Sequence, residues 1–162
     1  LSCISKLDVP LLAAIQGVCF GGGLEVALAC HIRIAGEKAL FAFPEVNRNL
    51  MPGMGGTVRL PGVIGNSNAL KMIISGEMIS ADEAMKMNLI DTIVPGEEVL
   101  DYSIRLLSKM VTDKPIDVIH AVVRSIRNAT ELPPDKAIAE ETRLFCRLAY
   151  EEAERRRINP EE

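Results

Sequence analysis

The sequence has no tryptophan, and aromatic side chains account for only 4% of its 162 residues. A hydrophobic core must therefore be built from alanine, aliphatic residues and the seven methionines. Hydrophobic residues make up 48% and charged residues 25%, a balance typical of a globular domain rather than of a disordered chain. A chain of this length forms one domain of ordinary size with a sizeable buried core.

The cysteine spacing, the lack of long apolar runs and the net charge argue against several classes of function. Cys3, Cys19, Cys30 and Cys146 form neither a C-x-x-C pair nor a zinc-type spacing, so we predict no metal site and a reducing, cytoplasmic location. No apolar run reaches the ~18 residues of a membrane helix. The net charge of −4 argues against nucleic-acid binding, which favours a basic domain. We therefore expect neither a membrane nor a nucleic acid as a partner.

Strand and helix patterns alternate closely in the first part of the chain. We predict buried strands at residues 11–15, 32–35, 40–43 and 89–94, and helices at residues 24–30, 69–75 and 81–87. Ser80 and Glu83 form a capping box that starts the last of these helices. Residues 44–65 are rich in glycine and proline and are expected to form an ordered loop with short helical turns. This spacing indicates an α/β architecture.

Beyond residue 96 the pattern becomes helical. Apolar residues recur at helical spacing over residues 99–110, 116–127 and 134–157. We therefore divide the chain into a mixed region, residues 1–96, and a helical region, residues 97–162. Because the chain opens on the sequence Leu1-Ser2-Cys3-Ile4 without an initiator methionine, we expect it to follow an earlier part of a longer protein.

The first candidate for chemistry is a run of three glycines between a strand and a helix. Gly21, Gly22 and Gly23 let the backbone turn sharply and let a ligand approach closely. The amides of Gly22 and Gly23 would point out of the helix start, where two converging donors make an oxyanion hole. Glu25 lies in the first turn. The alternative is a tight turn with a helix-capping glutamate, while a nucleotide-binding glycine motif is absent.

The second candidate is Glu45, which follows a predicted apolar strand. A glycine-rich loop begins a few residues later, at Met51-Pro52-Gly53. A carboxylate in that setting suits acid–base catalysis if both elements line one pocket, whereas the alternative is an ordinary exposed loop residue. It is the joint setting of Glu25 and Glu45 that favours a catalytic pair.

Several motifs, in the same order and at the same spacing, resemble those of the crotonase (enoyl-CoA hydratase/isomerase) superfamily. The resemblance is strong over residues 8–96 and weaker over the helical tail. The matching strings are Ala13-Ala14-Ile15-Gln16-Gly17, Gly21-Gly22-Gly23-Leu24-Glu25, Ala27-Leu28-Ala29-Cys30, Phe43-Pro44-Glu45-Val46, Pro52-Gly53-Met54-Gly55-Gly56-Thr57, Arg59-Leu60-Pro61, Ile79-Ser80-Ala81 and Glu83-Ala84.

This resemblance implies a particular fold and substrate. Residues 1–96 would be the C-terminal portion of a core built as a spiral of ββα turns, and residues 97–162 a helical region that packs between subunits. Members bind coenzyme A thioesters, so coenzyme A would enter with an acyl-CoA substrate and no cofactor would be bound permanently. The expected assembly is a homotrimer or a dimer of trimers. The part of the family domain that would precede residue 1 supplies the second oxyanion amide.

The resemblance also assigns roles to residues. Glu25 and Glu45 correspond to the two acid–base carboxylates, and Gly22 to an oxyanion-hole amide. Further substrate-binding positions are expected at Gly21, Gly23, Phe43, Met51, Pro52 and Gly53. Because family isomerases often lose the first carboxylate, keeping both favours an enoyl-CoA hydratase-like lyase, which adds water across the 2,3 double bond. The alternatives are an isomerase, hydrolase or decarboxylase acting on acyl-CoA, or a non-catalytic assembly protein with this fold.

Three residues depart from the family pattern. His31 stands where aspartate is common, and we interpret it as structural. Asn49 and Asn88 replace frequent glycines. Asparagine accepts a positive φ better than other residues with a side chain, so the backbone can be preserved at both positions.

Overall fold

The computed structural model describes residue 1 and residues 3–158. The chain folds into two compact units. The first joins Leu1–Leu7 to Leu11–Met110, and the second joins Asp8–Pro10 to the chain from Val111 onward. The first unit thus extends past residue 96, where the sequence predicts a change of character. The functional division at that residue stays a prediction.

Within residues 3–110, six short strands form two three-stranded sheets. The strands are β1 (Leu12–Ile15), β2 (Val18–Phe20), β3 (Ile32–Gly36), β4 (Leu40–Ala42), β5 (Ile79–Ser80) and β6 (Thr92–Val94). One sheet is parallel, in the order β1-β3-β6. In the other, β4 pairs in parallel with β2 and antiparallel with β5. Phe20 lies opposite Ala42, so β2 and β4 end side by side, just before the glycine turn and Glu45.

Helices and single turns connect these strands. The helices are α1 (Gly22–Leu28), α2 (Gly56–Ile64), α3 (Asn66–Ser75), α4 (Ala81–Lys86) and α5 (Val99–Val111), with 3₁₀ turns at Ile4–Lys6, Pro44–Arg48 and Gly96–Glu98. The predicted capping box begins α4. The Ser80 hydroxyl accepts from the Glu83 amide at 3.3 Å, and the Glu83 carboxylate accepts from the Ser80 amide at 2.8 Å. Asn49 and Asn88 have φ values of 58° and 62°, which confirms the left-handed backbone expected there.

Helix α2 corrects the expectation that residues 44–65 form only a loop with short turns. Gly55 precedes it with φ 106°, and Glu25 accepts from the amide of Gly56, the first residue of the helix, at 2.8 Å. A carboxylate in this place satisfies an amide that the helix itself leaves without an acceptor. Since Glu25 lies 31 positions away in the sequence, the local composition gives no sign of that support.

The strand predicted at residues 89–94 is shorter in the structure, where β6 starts at Thr92. The Leu89 amide donates to the Ala84 carbonyl at 2.8 Å and closes the end of α4. The Leu89 carbonyl accepts from Arg33 Nε at 2.7 Å. Because both backbone groups of Leu89 are engaged in this way, the ladder with β3 begins only after it.

The core of the first unit contains a few aromatic rings among many aliphatic side chains, as the composition requires. Its members with no exposed surface include Leu24, Phe41, Phe43, Leu60 and Leu89. Burying a side chain of this size stabilises a fold by about 1.5–3 kcal/mol relative to leaving it exposed. The residues on either side of the glycine turn and of Glu45 are therefore anchored by packing.

The second unit contains α6 (Ile116–Glu131) and α7 (Pro134–Ile158), which pack together. These two helices and α5 confirm the predicted helical tail. No helix among the described residues combines the length and the hydropathy that crossing a bilayer requires.

An ion pair joins residue 8 to α6 within this unit. Arg124 Nε donates to Asp8 Oδ2 at 3.0 Å, and Arg127 Nη1 lies 2.9 Å from Oδ1. The hydrogen bonds from Arg124, helped by Arg127, hold the pKa of Asp8 below its ordinary value of 3.8, although burial acts in the opposite direction. The contact joins positions 116 residues apart in the sequence.

Candidate active site

The glycine turn is the backbone feature around which the candidate site is built. Gly21 has φ 50° and ψ −120°, a conformation that glycine adopts without the strain that a β-carbon brings. Its amide donates to the Ala42 carbonyl at 2.9 Å, which ties the turn to β4. Helix α1 begins at the next residue, so the amides of Gly22 and Gly23 have no carbonyl acceptor within the helix. A β-carbon on Gly23 would meet nothing within 4 Å.

Glu25 is a buried carboxylate with two backbone donors. Its side chain extends from α1, and only 2% of the residue is exposed. Oε1 accepts from the Met54 amide at 2.7 Å and from the Gly56 amide at 2.8 Å. Both donors reach the same oxygen, which leaves Oε2 available for a proton-bearing ligand. Amides at the start of α2 favour a negative charge at this position.

Glu45 lies in the 3₁₀ turn Pro44–Arg48, and its carboxylate is against the glycine turn. A β-carbon built on Gly21 would stand 2.6 Å from Glu45 Oε1, so only glycine allows this approach. Glu45 Oε2 is buried, and no hydrogen-bond donor among the described residues reaches it. Leaving a buried acceptor unpaired costs about 1–3 kcal/mol, so such an atom needs an explanation, for example a water or a ligand that it binds.

The structure brings the two glutamates to the same short stretch of backbone. Glu45 lies against Gly21, and Glu25 follows within the first turn of α1. Met54, which donates to Glu25, also places its terminal methyl 2.7 Å from where a β-carbon of Gly22 would stand. Both glutamates thus lie beside one glycine turn, and their action as a catalytic pair stays a prediction.

The other predicted substrate-binding residues divide into buried and exposed ones. Phe43 has no exposed surface, and Pro52 is also buried. Both contact the backbone at Gly56, where a β-carbon would lie 2.9 Å from the Phe43 ring and 2.8 Å from Pro52. Met51 and Gly53 are exposed on the loop before α2. In this structure Phe43 and Pro52 support the start of α2, and contact of any of the four with substrate stays a prediction.

Sequence reasoning missed three contributors to the site. It named Gly53 as a substrate-binding position and did not predict the amides of Met54 and Gly56, which donate to Glu25. It also missed Arg59, whose Nη1 donates to the Met54 carbonyl at 2.9 Å. The adjacent pair Gly55-Gly56 was the available signal, because a helix that starts after a left-handed glycine presents amides to an acceptor.

Two other residues of the first unit, His31 and Cys19, are explained by their surroundings. His31 Nδ1 accepts from the Leu11 amide at 3.0 Å, which agrees with the structural interpretation of that residue. Cys19 lies in β2 close to the glycine turn, and burial raises the pKa of its thiol to about 11. A thiol that stays protonated at neutral pH is a poor nucleophile.

The sequence profile of the enoyl-CoA hydratase/isomerase family matches residues 1–158. The chain belongs to this family of enzymes. A 2,3-dehydroadipyl-CoA hydratase of Escherichia coli K12 is 38% identical to this family member over 149 residues, which cover 92% of the chain and 58% of the relative. The chain therefore spans little more than half the length of that enzyme.

Solved structures agree with the assignment. A crystal structure of enoyl-CoA hydratase subunit I from Geobacillus kaustophilus superposes with a TM-score of 0.88 at 30% identity, covering 97% of this chain and 61% of the other. An enoyl-CoA hydratase from Bacillus anthracis superposes with a TM-score of 0.84 at 33% identity, covering 89% and 55%. The crotonase resemblance and the α/β fold class are thereby confirmed.

Proposed function

We propose that the protein containing this chain adds water across the 2,3 double bond of an enoyl-CoA thioester. The observation that carries the proposal is the pair of carboxylates at one glycine turn. Glu25 is held through one oxygen by two amides, and Glu45 has a buried oxygen that no described residue engages. Adding water requires groups that take a proton from the water and deliver one to the α-carbon, and two positioned carboxylates suit both tasks.

The proposed mechanism depends on stabilising the negative charge that develops as water adds to the double bond. As the water oxygen bonds to the β-carbon, electrons of the double bond move towards the thioester carbonyl and negative charge builds on its oxygen. The Gly22 amide, which has no acceptor within α1, would donate to that oxygen, and one such donor contributes roughly 3 kcal/mol to the transition state. Glu25 and Glu45 would hold the water, accept its proton and return one to the α-carbon.

Coenzyme A would enter and leave with the acyl group, so the proposal includes no permanently bound cofactor. The exposed residues Met51 and Gly53 stay candidates for contact with the acyl-CoA, together with the turn residues Gly21 and Gly23. Family membership and the hydratase relative support an acyl-CoA substrate.

The test uses the complete protein and crotonyl-CoA, whose conjugated enoyl absorbance disappears on hydration. Glu25→Gln and Glu45→Gln keep the size of each side chain and remove its charge and its capacity as a base. Each substitution is expected to lower kcat by roughly 10²–10⁴-fold. The matched control is Glu37→Gln, at an exposed position outside the site, which should keep the rate of the unsubstituted protein.

Mass spectrometry of the product separates hydration from the other reactions of the family. A thioester heavier by one water identifies hydration, whereas release of free coenzyme A identifies a hydrolase. Hydration that survives both glutamate substitutions would remove the carboxylate pair from the mechanism. No reaction with crotonyl-CoA would exclude this short substrate. A parallel assay with 2,3-dehydroadipyl-CoA, the substrate named for the Escherichia coli relative, then tests a longer acyl group that ends in a carboxylate.

A further inference from the structure

Arg59 occupies an unusual place for a cation. It lies in the first turn of α2, which begins at Gly56, and its own amide donates to the Gly55 carbonyl at 2.8 Å. The helix dipole opposes a positive charge there. No carboxylate among the described residues forms an ion pair with this half-buried guanidinium. Other contacts must therefore hold the side chain in place.

Those contacts are with the backbone of the loop that precedes the helix. Arg59 Nη1 donates to the Met54 carbonyl at 2.9 Å. The same nitrogen lies against Gly55, where a β-carbon would overlap it. Gly55 also has φ 106°, a conformation that residues with a side chain rarely adopt. Position 55 thus leaves open the space that the guanidinium fills.

Met54 connects the guanidinium to the candidate site. Its carbonyl accepts from Arg59, and its amide, at the other end of the same residue, donates to Glu25 Oε1 at 2.7 Å. The second donor to that oxygen is Gly56, two residues further on. Arg59 therefore binds residues 54–56 through the Met54 carbonyl, while the amides of Met54 and Gly56 bind Glu25.

We infer that Arg59 is a positioning residue, which fixes residues 54–56 and, through their amides, the carboxylate of Glu25. A guanidinium suits this task because its rigid planar fork keeps its donors in a set geometry, whereas an ammonium is a flexible point charge. The contact of Arg59 with residues 54–56 is present in the fold, and its effect on catalysis rests on the proposed function.

The first measurement is hydrogen exchange in the complete protein, followed by mass spectrometry of peptides that contain residues 54–56. In Arg59→Met the Met54 and Gly56 amides should exchange about fivefold faster, as expected for the loss of one ordinary hydrogen bond. Arg59→Lys keeps a donor, so its exchange rates should lie between those of the unsubstituted protein and those of Arg59→Met. The matched control is Arg105→Met, at an exposed position of α5, and its exchange over residues 54–56 should equal that of the unsubstituted protein.

The second measurement is the rate of crotonyl-CoA hydration. Arg59→Met is expected to lower kcat roughly 10–100-fold, because a small displacement of a catalytic group is enough to cause such a loss. KM should change by less than about threefold if the effect lies in positioning rather than in binding. In a Glu25→Gln background, Arg59→Met should lower kcat by less than about threefold, because the carboxylate that Arg59 positions is no longer present.

Each outcome decides one part of the inference. Unchanged exchange in Arg59→Met would overturn the inference that Arg59 fixes residues 54–56. If the methionine variant does not fold, unchanged exchange in Arg59→Lys would do the same. Faster exchange with equal kinetic losses in both backgrounds would overturn the transmission through Glu25. If the unsubstituted protein leaves crotonyl-CoA unchanged, hydration of that substrate fails, and the exchange data still decide whether Arg59 holds the segment.

Discussion

At the scale of single residues, the Glu45 carboxylate lies against the backbone of Gly21. A carboxylate oxygen occupies the space in which any other residue at position 21 would carry its β-carbon. The buried Oε2 of the same carboxylate has no partner among the described residues. A buried acceptor without a partner needs an explanation, and the proposed function supplies one, a water or substrate group bound by Glu45.

Substituting Gly21 tests this contact directly. In Gly21→Ala the new β-carbon would stand 2.6 Å from Glu45 Oε1 at a φ of 50°, so both the carboxylate and the backbone must shift. Strain of this kind costs about 1–3 kcal/mol, which urea unfolding would show as a lower midpoint. Gly23→Ala is the matched control, because its β-carbon meets nothing within 4 Å, and helix propensity predicts a gain of up to about 1 kcal/mol. Equal losses in the two variants would contradict the steric argument.

At the scale of secondary structure, helices α2 and α4 begin in different ways. Helix α4 is capped by its own sequence, through the reciprocal bonds between Ser80 and Glu83. Helix α2 has no such side chain nearby, and its first amide is satisfied by Glu25 from α1. The first kind of start is visible in a short stretch of sequence, and the second exists only when the chain has folded.

The capping box predicts a pH dependence. Bonds from the backbone amide and the hydroxyl of Ser80 lower the pKa of Glu83 below its ordinary value of 4.5. A lowered pKa means that the ionised carboxylate stabilises the fold at neutral pH, and that this contribution is lost as the pH falls through the acid range below 4.5. Glu83→Gln should therefore be less stable than the unsubstituted protein at neutral pH, and the difference should shrink in acid.

Urea unfolding at several pH values measures this difference. Glu37→Gln, at an exposed position, is the control and should show no comparable change. A stability difference for Glu83→Gln that grows in acid would contradict the assigned direction of the pKa shift.

At the scale of the whole molecule, large apolar side chains remain exposed on the helices of the second unit. Ile126, Ile138 and Phe145 are 60%, 62% and 69% exposed. Exposed apolar groups that gather on a surface mark sites of interaction. The homotrimer or dimer of trimers implied by the family resemblance would cover such faces, and it stays a proposal.

Sedimentation of the complete protein tests that proposal, with a trimer or a hexamer as the expected species. Phe145→Asp should shift the population towards smaller species, because it places a charge on an apolar contact. Ser108→Asp adds the same charge at an exposed polar position of α5 and serves as the control. A monomer at high concentration in the unsubstituted protein would contradict the proposed assembly.

Much of the fold could be predicted from local patterns. Apolar runs marked β1, β3 and β4, and helical periodicity marked α5, α6 and α7. Both signals depend on side chains that are neighbours in the sequence, which is why they succeed. The start of α2 and the short β6 escaped prediction, because Glu25 and Arg33 act on them from distant positions.

For the candidate site, the residues proposed to do the chemistry can be named from the amino-acid sequence alone. It contains the glycine turn and the two glutamates, and family motifs place them in a known order. The groups that surround these residues are set by the fold. It brought Glu45 onto Gly21 and set the amides of Met54 and Gly56 on Glu25. The physical reason is that a carboxylate finds its donors through space, and the spacing of residues along a chain does not specify which distant amides will face it.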